Sequence, residues 1–276
     1  MSKFVVPAVA VCLVAGVWGQ GFAVVPWASS VVQYDYDGDG NPANDDATYS
    51  HPGSALGEPS RMGGVGTPYA SVVSMFNGPW TGSEIVGVAP GGQLVVTFDQ
   101  PISDDPSHLY GKDLIVFGNS FFWTAWPDPQ ITSPAAVFDH PAQISLSADG
   151  VDWRVVPNVY ADSLFPTQAY MGGGPYDVTA GQCPSDFRKP MNPALTLTDF
   201  NGLSYAQALA LYDGSGGGTA VDMAAVGLSE VRYVKITVPE GSLDTVYIDG
   251  FAVVPEPVSL ALLACAAAGM VVRRRR

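Results

Sequence analysis

The chain has 276 residues and a formal net charge of −14 at pH 7, with 14% charged side chains, 31 glycines and 23 prolines. Lys3 and the four terminal arginines are five of the 12 basic residues, so without them 7 basic residues face 26 acidic ones, a balance of −19. Such a surface repels nucleic acid and anionic lipid and favours divalent cations, which excludes polyanionic partners. The many glycines and prolines predict short strands joined by turns.

The first 23 residues have the pattern of a secretory signal peptide. Lys3 precedes an apolar stretch from Phe4 to Trp18, and small residues just before position 24 offer cleavage positions. An uncleaved anchor is the alternative, although the stretch is short for one. We therefore expect a signal peptide over 1–23 and an exported, folded domain over 24–254.

Cysteine usage agrees with export. Cys12 lies in the signal segment and Cys265 in the C-terminal tail, which leaves Cys183 alone in the domain. An intramolecular disulfide is thereby excluded, and the domain must depend on a large core or on bound metal. We expect Cys183 to be a buried thiol, with intermolecular pairing as the alternative.

An acidic loop at residues 35–46 predicts a calcium site. It places carboxylates at positions 1, 3 and 5 and a glycine at position 6, the spacing with which EF-hand loops wrap oxygen atoms around Ca²⁺. Position 12 is an aspartate rather than the usual glutamate, and no flanking helices are predicted. A hydrated acidic turn is the alternative. The expected ligands are Asp35, Asp37, Asp39, Asn41 through its carbonyl, and Asp46.

Segments rich in β-branched and aromatic residues predict the strands of an all-β domain. Asp149-Gly150 predicts a two-residue hairpin turn, with Trp153 packed on the hairpin. The predicted strands are Gln93–Asp99, Asp113–Phe117, Ala142–Ala148, Val151–Val156, Arg232–Val238 and Val246–Val254.

A cluster of aromatic residues follows the strand that begins at Asp113. Exposed aromatic rings can stack on the apolar face of a sugar, while a neighbouring amide bonds its hydroxyl groups. Packing at the end of a sandwich is the alternative. The candidate sugar-binding residues are Asn119, Phe121, Phe122, Trp123 and Trp126.

One helix is predicted over Ser204–Tyr212, where Tyr205, Leu209 and Tyr212 recur at helical spacing and Ser204 is the N-cap. Gly214 and the glycines at 216–218 end it, as a C-cap and a flexible loop. No lysine follows these glycines in the manner of a phosphate-binding loop.

Catalytic motifs are missing from the sequence. His51, His108 and His140 lack the spacing of a zinc site, and there is no Gly-x-Ser-x-Gly motif. Adjacent acids such as Asp104-Asp105 and Asp45-Asp46 are not thereby placed across a glycosidic bond. We therefore expect no enzyme, and a glycoside hydrolase is the least favoured alternative.

The C-terminus combines a short motif, an apolar run and a basic end. Pro255-Glu256-Pro257 precedes an uncharged run from Val258 to Val272, which is shorter than the roughly 20 residues of an untilted membrane helix. Arg273, Arg274, Arg275 and Arg276 follow, and positive flanks resist translocation. We expect residues 255–276 to be a sorting segment that associates with the membrane before processing.

This tail resembles the PEP-CTERM sorting signal of bacterial exported proteins, and the resemblance covers Val254 to Arg276. It implies that an exosortase-like enzyme recognises Pro-Glu-Pro and removes the tail. The implied destination is the cell envelope, the cell surface or the extracellular space.

The domain itself resembles a family of bacterial cell-surface domains that are similar to the discoidin or galactose-binding jelly roll. The resemblance covers about Val31 to Val254 and implies a jelly-roll β-sandwich with one short helix and long loops. It is carried by Ala55–Ser60, Gly91–Phe98, Lys112–Asn119, Ile144–Trp153 and Val231–Ile236.

These features predict a surface protein with a structural or adhesive role. The alternative is a carbohydrate-binding module that holds extracellular polysaccharide through the loop from Phe121 to Trp126.

Overall fold

The computed structural model describes residues 25–125 and 129–256. Within them every pair of assigned strands is antiparallel and one segment is α-helical, so the predicted all-β class is confirmed. The strands are β1 (Ser30–Asp35), β2 (Met62–Gly63), β3 (Ser71–Val72), β4 (Val86–Val88), β5 (Gln93–Ser103), β6 (Leu114–Gly118), β7 (Phe121–Phe122), β8 (Thr124–Ala125), β9 (Gln130–Ile131), β10 (Val137–Phe138), β11 (Ala142–Ser147), β12 (Arg154–Ala161), β13 (Thr219–Val221), β14 (Glu230–Thr237) and β15 (Val246–Val253). The helix is α1 (Tyr205–Tyr212), and 3₁₀ turns occur at Pro52–Ala55, Leu109–Gly111, Leu197–Phe200 and Ala224–Val226.

Nine of the strands form two larger sheets. The first has five strands in the order β1-β5-β14-β11-β12, and the second has four in the order β13-β6-β15-β4. The remaining strands pair in three small ribbons, β2 with β3, β7 with β10 and β8 with β9. Strands that are neighbours in a sheet are mostly distant in sequence, so the sheets are held by long-range pairing.

One hydrophobic cluster joins the two larger sheets. Leu94 and Val96 of β5 belong to the same buried cluster as Val116 of β6 and Ile248 of β15. In β14, Val234 and Ile236 are buried, whereas Tyr233 and Lys235 are half-buried. Burial of each such side chain contributes about 1.5–3 kcal/mol, and the shared core holds the sheets face to face.

A second cluster lies around α1. Ala208 and Tyr212 are buried there with Phe122 and Phe200. The helix begins as predicted, because the Ser204 side chain accepts a hydrogen bond from the Gln207 N–H while the Gln207 side chain accepts one from the Ser204 N–H. This cluster places the α1 region against the back of β7.

The predicted two-residue turn at Asp149-Gly150 is wrong. β11 ends at Ser147 and β12 begins at Arg154, so a longer loop connects them. Asp149 Oδ1 accepts hydrogen bonds from the Val151 and Asp152 N–H groups, at 2.8 and 2.9 Å, and these bonds stabilise the longer loop. Trp153 is half-buried beside β14, with Lys235 Nζ 4.4 Å from its ring centroid.

The expectation that Cys183 is buried is also wrong, since this free thiol is exposed. It lies in the long connection between β12 and β13, where Met171 N–H donates to its carbonyl oxygen. The backbone of Cys183 is thus tied to the fold while its side chain faces solvent.

Both predicted targeting segments lie mainly outside the described residues. This holds for the signal peptide over 1–23, for Pro257 and the apolar run after it, and for the four arginines; Trp126 is also outside. Pro255 and Glu256 are described and exposed, directly after the end of β15. Within residues 25–125 and 129–256, the helices lack the length and apolar character needed to cross a bilayer.

Candidate functional site

A two-stranded ribbon carries the exposed aromatic residues. β7 and β10 pair so that Phe121 lies opposite Phe138 and Phe122 lies opposite Val137. The rings of Phe121 and Phe138 are stacked, with centroids 4.8 Å apart and planes 19° apart. Trp123, which is 49% exposed, meets the edges of this pair at 5.9 and 6.0 Å. Cross-strand aromatic pairs of this kind stabilise a short ribbon.

The rings continue along the surface beyond the ribbon. Phe138 contacts His140 at 4.7 Å, His140 approaches Tyr247 at 6.3 Å, and Tyr247 contacts Tyr49 at 4.9 Å. Apart from Trp123 these rings are half-buried, so each presents part of its surface to solvent. We call this set the aromatic row: Trp123, Phe121, Phe138, His140, Tyr247 and Tyr49.

A cleft opens beside the row. It has a volume of about 250 Å³, and Asn119, Phe121 and Trp80 are among its lining residues. The Oδ1 atom of Asn119 is buried and has no hydrogen-bond partner among the described residues. Tyr49 Oη donates to the Trp80 carbonyl oxygen at 3.0 Å, which connects the far end of the row to the wall of the cleft.

The structure divides the predicted sugar-binding cluster. Asn119, Phe121 and Trp123 lie together at the cleft and the row. Phe122 is 1% exposed and stacks on Phe200 at 4.8 Å, so its side chain belongs to the core around α1. Sequence reasoning missed Phe138, His140, Tyr247, Tyr49 and Trp80, because only the folded chain brings them close to Phe121 and its cleft.

The acidic loop after β1 is held by its own side chains. The Gly38 N–H donates to Asp35 Oδ1 at 2.9 Å, the Asp39 N–H to Asp37 Oδ1 at 3.1 Å, and the Asn41 N–H to Asp39 Oδ1 at 2.6 Å. Asp46 Oδ1 accepts from the Thr48 N–H at 2.8 Å. Carboxylate oxygens bonded in this way keep lone pairs that a hard cation can use.

The charges of this loop act on one another. A hydrogen bond from the Asn44 side chain, with one from the Asn41 backbone, lowers the pKa of Asp39. Burial raises the pKa of Asp45, and the nearby charges of Asp37, Asp39 and Asp35 raise it further. The loop borders a cavity of about 270 Å³ lined by residues including Asp35, Asn41 and Asp45.

A second acidic arrangement was not predicted. Asp104, Asp113 and Asp222 each bring a ligand oxygen to within 4.8 Å of the others. Asp113 is fully buried, accepts from the Met223 N–H at 2.9 Å and lies 2.8 Å from His108 Nδ1. Burial raises the pKa of Asp104, and the charges of Asp113 and Asp222 add to this effect.

Strand pairing explains this second arrangement. Asp113 directly precedes β6 and Asp222 directly follows β13, and these strands pair with Val221 opposite Leu114. The two aspartates therefore lie side by side at one end of the second sheet. The sequence shows that these aspartates are present, but it does not reveal the strand register that places them side by side.

Two further aspartates are buried within the fold. Asp162 Oδ1 accepts from the Ser120 N–H at 2.7 Å, and both oxygens of Asp249 accept from the Ser60 N–H at 3.0 and 2.9 Å. Each aspartate is 2% exposed, and burial raises the pKa of each to about 7. Asp249 lies within β15.

Comparison with protein-family models and with curated proteins yields no match for this chain. Its function must therefore be inferred from the chemistry of its own surface.

Proposed function

We propose that this chain is an exported cell-surface protein that adheres to extracellular carbohydrate through the aromatic row. The observation that carries the proposal is the stacked surface pair of Phe121 and Phe138 with the exposed ring of Trp123 against it. Aromatic faces of this kind pack against the apolar C–H face of a sugar ring. Six such rings in a row suit a chain of sugars better than a single one.

The cleft supplies polar contacts beside the apolar ones. An unpartnered carbonyl oxygen such as Asn119 Oδ1 gains a hydrogen bond when a hydroxyl group reaches it, and leaving it unpaired costs about 1–3 kcal/mol. Its position next to Phe121 and Trp80 combines stacking with hydrogen bonding in one place. Ligand sites typically pair an apolar surface with a few polar groups that fix orientation.

Charge favours a neutral glycan over an acidic one. The residues that line the cleft include no lysine or arginine. With 26 acidic residues in the chain, a polyanionic polysaccharide would be repelled rather than attracted. We therefore propose uncharged polysaccharide as the ligand class.

The strand order supports a jelly roll as the fold of the domain. β4 pairs with β15, β5 with β14, β6 with β13 and β11 with β12. These nested pairs are those of one long hairpin of eight strands, rolled so that its strands divide between two sheets. β1 adds an edge strand beside β5.

We propose that calcium binds the loop of Asp35, Asp37, Asp39, Asn41 and Asp46. Support comes from the closeness of the carboxylates in this loop. The charges of Asp35, Asp37 and Asp39 all raise the pKa of Asp45. Oxygen donors of this kind are those that Ca²⁺ takes in extracellular proteins. Bound calcium would stabilise the loop next to Tyr49, at one end of the aromatic row.

Export and sorting complete the proposal. Support for sorting comes from Pro255 and Glu256, the first two residues of the motif, which are exposed shortly after β15. Mass spectrometry of the protein isolated from its native cells would give both mature termini. Termini near residues 24 and 255 support export and processing, whereas an intact chain in the cytosol contradicts them.

Tryptophan fluorescence tests the binding proposal. We expect neutral polysaccharides such as β-glucan, xylan and galactomannan to change the emission of the full chain, at least one of them saturably. Trp123→Ala should abolish that change, because the exposed indole stacks on the sugar. Trp153→Ala is the matched control, since Trp153 packs beside Lys235 and outside the row.

Two results would contradict this proposal. One is the absence of a response to every neutral polysaccharide, which would leave a purely structural role. The other is an equal loss of response in the two tryptophan variants. The proposal also treats the protein as a binder without hydrolytic activity, so bound polysaccharide should keep its length during incubation.

A further inference from the structure

Asp162 lies beneath the aromatic row and bonds two separate parts of it. Its Oδ1 accepts from the Ser120 N–H at 2.7 Å, and its Oδ2 accepts from the His140 N–H at 3.3 Å. Ser120 directly precedes Phe121 of β7, and His140 is a row residue two positions after Phe138 of β10. One carboxylate therefore connects the strands that carry the stacked pair.

The ribbon of β7 and β10 needs such a connection. Each strand has only two residues, and isolated two-stranded ribbons are at best marginally stable. Hydrogen bonds to a charged acceptor are stronger than those between neutral groups. The two hydrogen bonds that Asp162 accepts therefore help to fix the distance and the angle between β7 and β10.

The surrounding backbone is shaped to admit this carboxylate. A Cβ atom at Gly118 would collide with Asp162 Oδ1, so only glycine leaves room at that position. Asp162 itself has a φ of 52°, in the left-handed region that side-chain-bearing residues seldom adopt. Such conformations persist where the surrounding structure holds them in place.

We infer that Asp162 is the positioning residue of the aromatic row, holding Phe121 and Phe138 in the stacked arrangement that binds carbohydrate. This inference rests on the proposed function for its binding consequence. The effect of Asp162 on the arrangement of Phe121 and Phe138 does not depend on a ligand.

The ionisation of Asp162 makes this positioning sensitive to pH. Burial raises its pKa to about 7, the Ser120 and His140 backbone bonds act in the opposite direction, and the charge of Asp139 raises it. Among the described residues, Asp139 is the charged group that acts on Asp162, and the imidazole of His140 belongs to the residue whose N–H bonds Oδ2. Protonation of Asp162 removes its negative charge and so weakens the hydrogen bonds that it accepts from the Ser120 and His140 N–H groups.

Amide hydrogen exchange tests the positioning without any ligand. In the full chain, Asp162→Asn should speed exchange at the Ser120 and His140 amides on the order of tenfold, because the neutral side chain cannot accept from both. Asp249→Asn is the control, since it removes an equally buried carboxylate that accepts from Ser60 instead. It should leave exchange at the Ser120 and His140 amides unchanged.

Binding provides the second readout. With the neutral polysaccharide that changes Trp123 emission most, Asp162→Asn should weaken binding on the order of tenfold, and Asp249→Asn should leave it unchanged. Binding by the unmodified protein should weaken as pH falls from 8 to 6, and this pH dependence should be lost in Asp162→Asn. His140→Gln separates the imidazole, because it leaves the backbone N–H in place and should keep the pH profile.

The outcomes distinguish the inference from the proposed function. Unchanged exchange at Ser120 and His140 in Asp162→Asn would overturn the inference, even if carbohydrate binds. If Asp162→Asn does not fold, the decisive measurement is the protection of these two amides in the unmodified protein as a function of pH, after correction for base-catalysed intrinsic exchange. Protection that does not change with pH overturns the inference. Faster exchange without any carbohydrate binding would support the positioning and reject the carbohydrate ligand.

Discussion

Two adjacent phenylalanines take opposite roles in this protein. Phe121 is half-buried and stacks on Phe138 at the surface, whereas Phe122 is buried and stacks on Phe200. Successive side chains of a strand point to opposite faces, so the two roles follow from a two-residue strand. The sequence-based prediction grouped both residues with one ligand site because their strand is too short to show alternation.

Substitution of these two residues should separate binding from stability. Phe122→Ala should lower the free energy of unfolding by about 3–5 kcal/mol, as expected for a core aromatic, and leave carbohydrate affinity of the folded protein unchanged. Phe121→Ala should cost less stability and weaken carbohydrate binding strongly. Chemical unfolding and fluorescence titration of both variants measure these effects. Similar losses of affinity in both would contradict the division.

Local sequence signals were sufficient to predict single helices and strands, but not which strands pair with each other. α1 was predicted because its period, its Ser204 cap and its glycine end all lie within one short segment. The strands containing Gln93 and Val246 were predicted from their own composition. Their neighbours were not, since β5 pairs with β14 and β15 with β6, far along the chain.

The same limit applies to the candidate sites. The acidic loop is one continuous segment, so spacing alone indicated it. The Asp104, Asp113 and Asp222 arrangement depends on the pairing of β6 with β13 and had no local signal. The longer loop at Asp149 was also missed, because side-chain hydrogen bonds outweighed the turn preference of Asp-Gly.

Calcium should stabilise the element formed by β1 and its acidic loop. A ligand that binds only the folded state adds about 2.7 kcal/mol at one hundred times its dissociation constant, so millimolar Ca²⁺ should raise the melting temperature of the full chain. Asp39→Asn should reduce that rise. Asp149→Asn is the matched control, because Asp149 is another exposed turn aspartate that accepts from its own loop backbone.

A melting temperature that ignores calcium would contradict the loop site. A full response in Asp39→Asn together with a lost response in Asp104→Asn would instead place the cation at the second acidic arrangement.

In the whole molecule, the all-β fold brings distant segments to one surface. Tyr49 follows β1, Phe121 and Phe138 come from the middle of the chain, and Tyr247 belongs to the last strand. The row therefore exists only when the folded chain brings these segments together. Loss of the global fold and loss of the binding surface should occur in one transition.

The acidity of the whole molecule also sets how its stability depends on pH. Asp162 and Asp249 have folded-state pKa values of about 7 against a reference value of 3.8. Between those pH values the folded protein keeps protons that the unfolded chain has released, so the free energy of unfolding falls as pH rises from about 4 to 7. Repulsion among 26 acidic residues acts in the same direction.

Several exposed aspartates have the opposite effect, because they make the free energy of unfolding rise with pH, but they act only at lower pH. Hydrogen bonds lower the pKa of Asp39, Asp105, Asp149, Asp199 and Asp213. Their stabilising contribution is present above the unfolded-state pKa and is lost as pH falls through the folded-state values. The most stable range should therefore lie between about pH 4 and 6.

We expect the melting temperature in the presence of EDTA to be several degrees higher at pH 5 than at pH 8, since each kcal/mol corresponds to about 2–4 °C for a domain of this size. The double variant Asp162→Asn with Asp249→Asn removes both buried ionisations and should reduce this difference. Asp99→Asn removes a carboxylate from an exposed position of β5 and should leave it nearly unchanged. Calorimetry of the three proteins at both pH values measures the effect. A protein more stable at pH 8, or equal slopes in all three, would mean that these two carboxyl groups do not control the pH dependence.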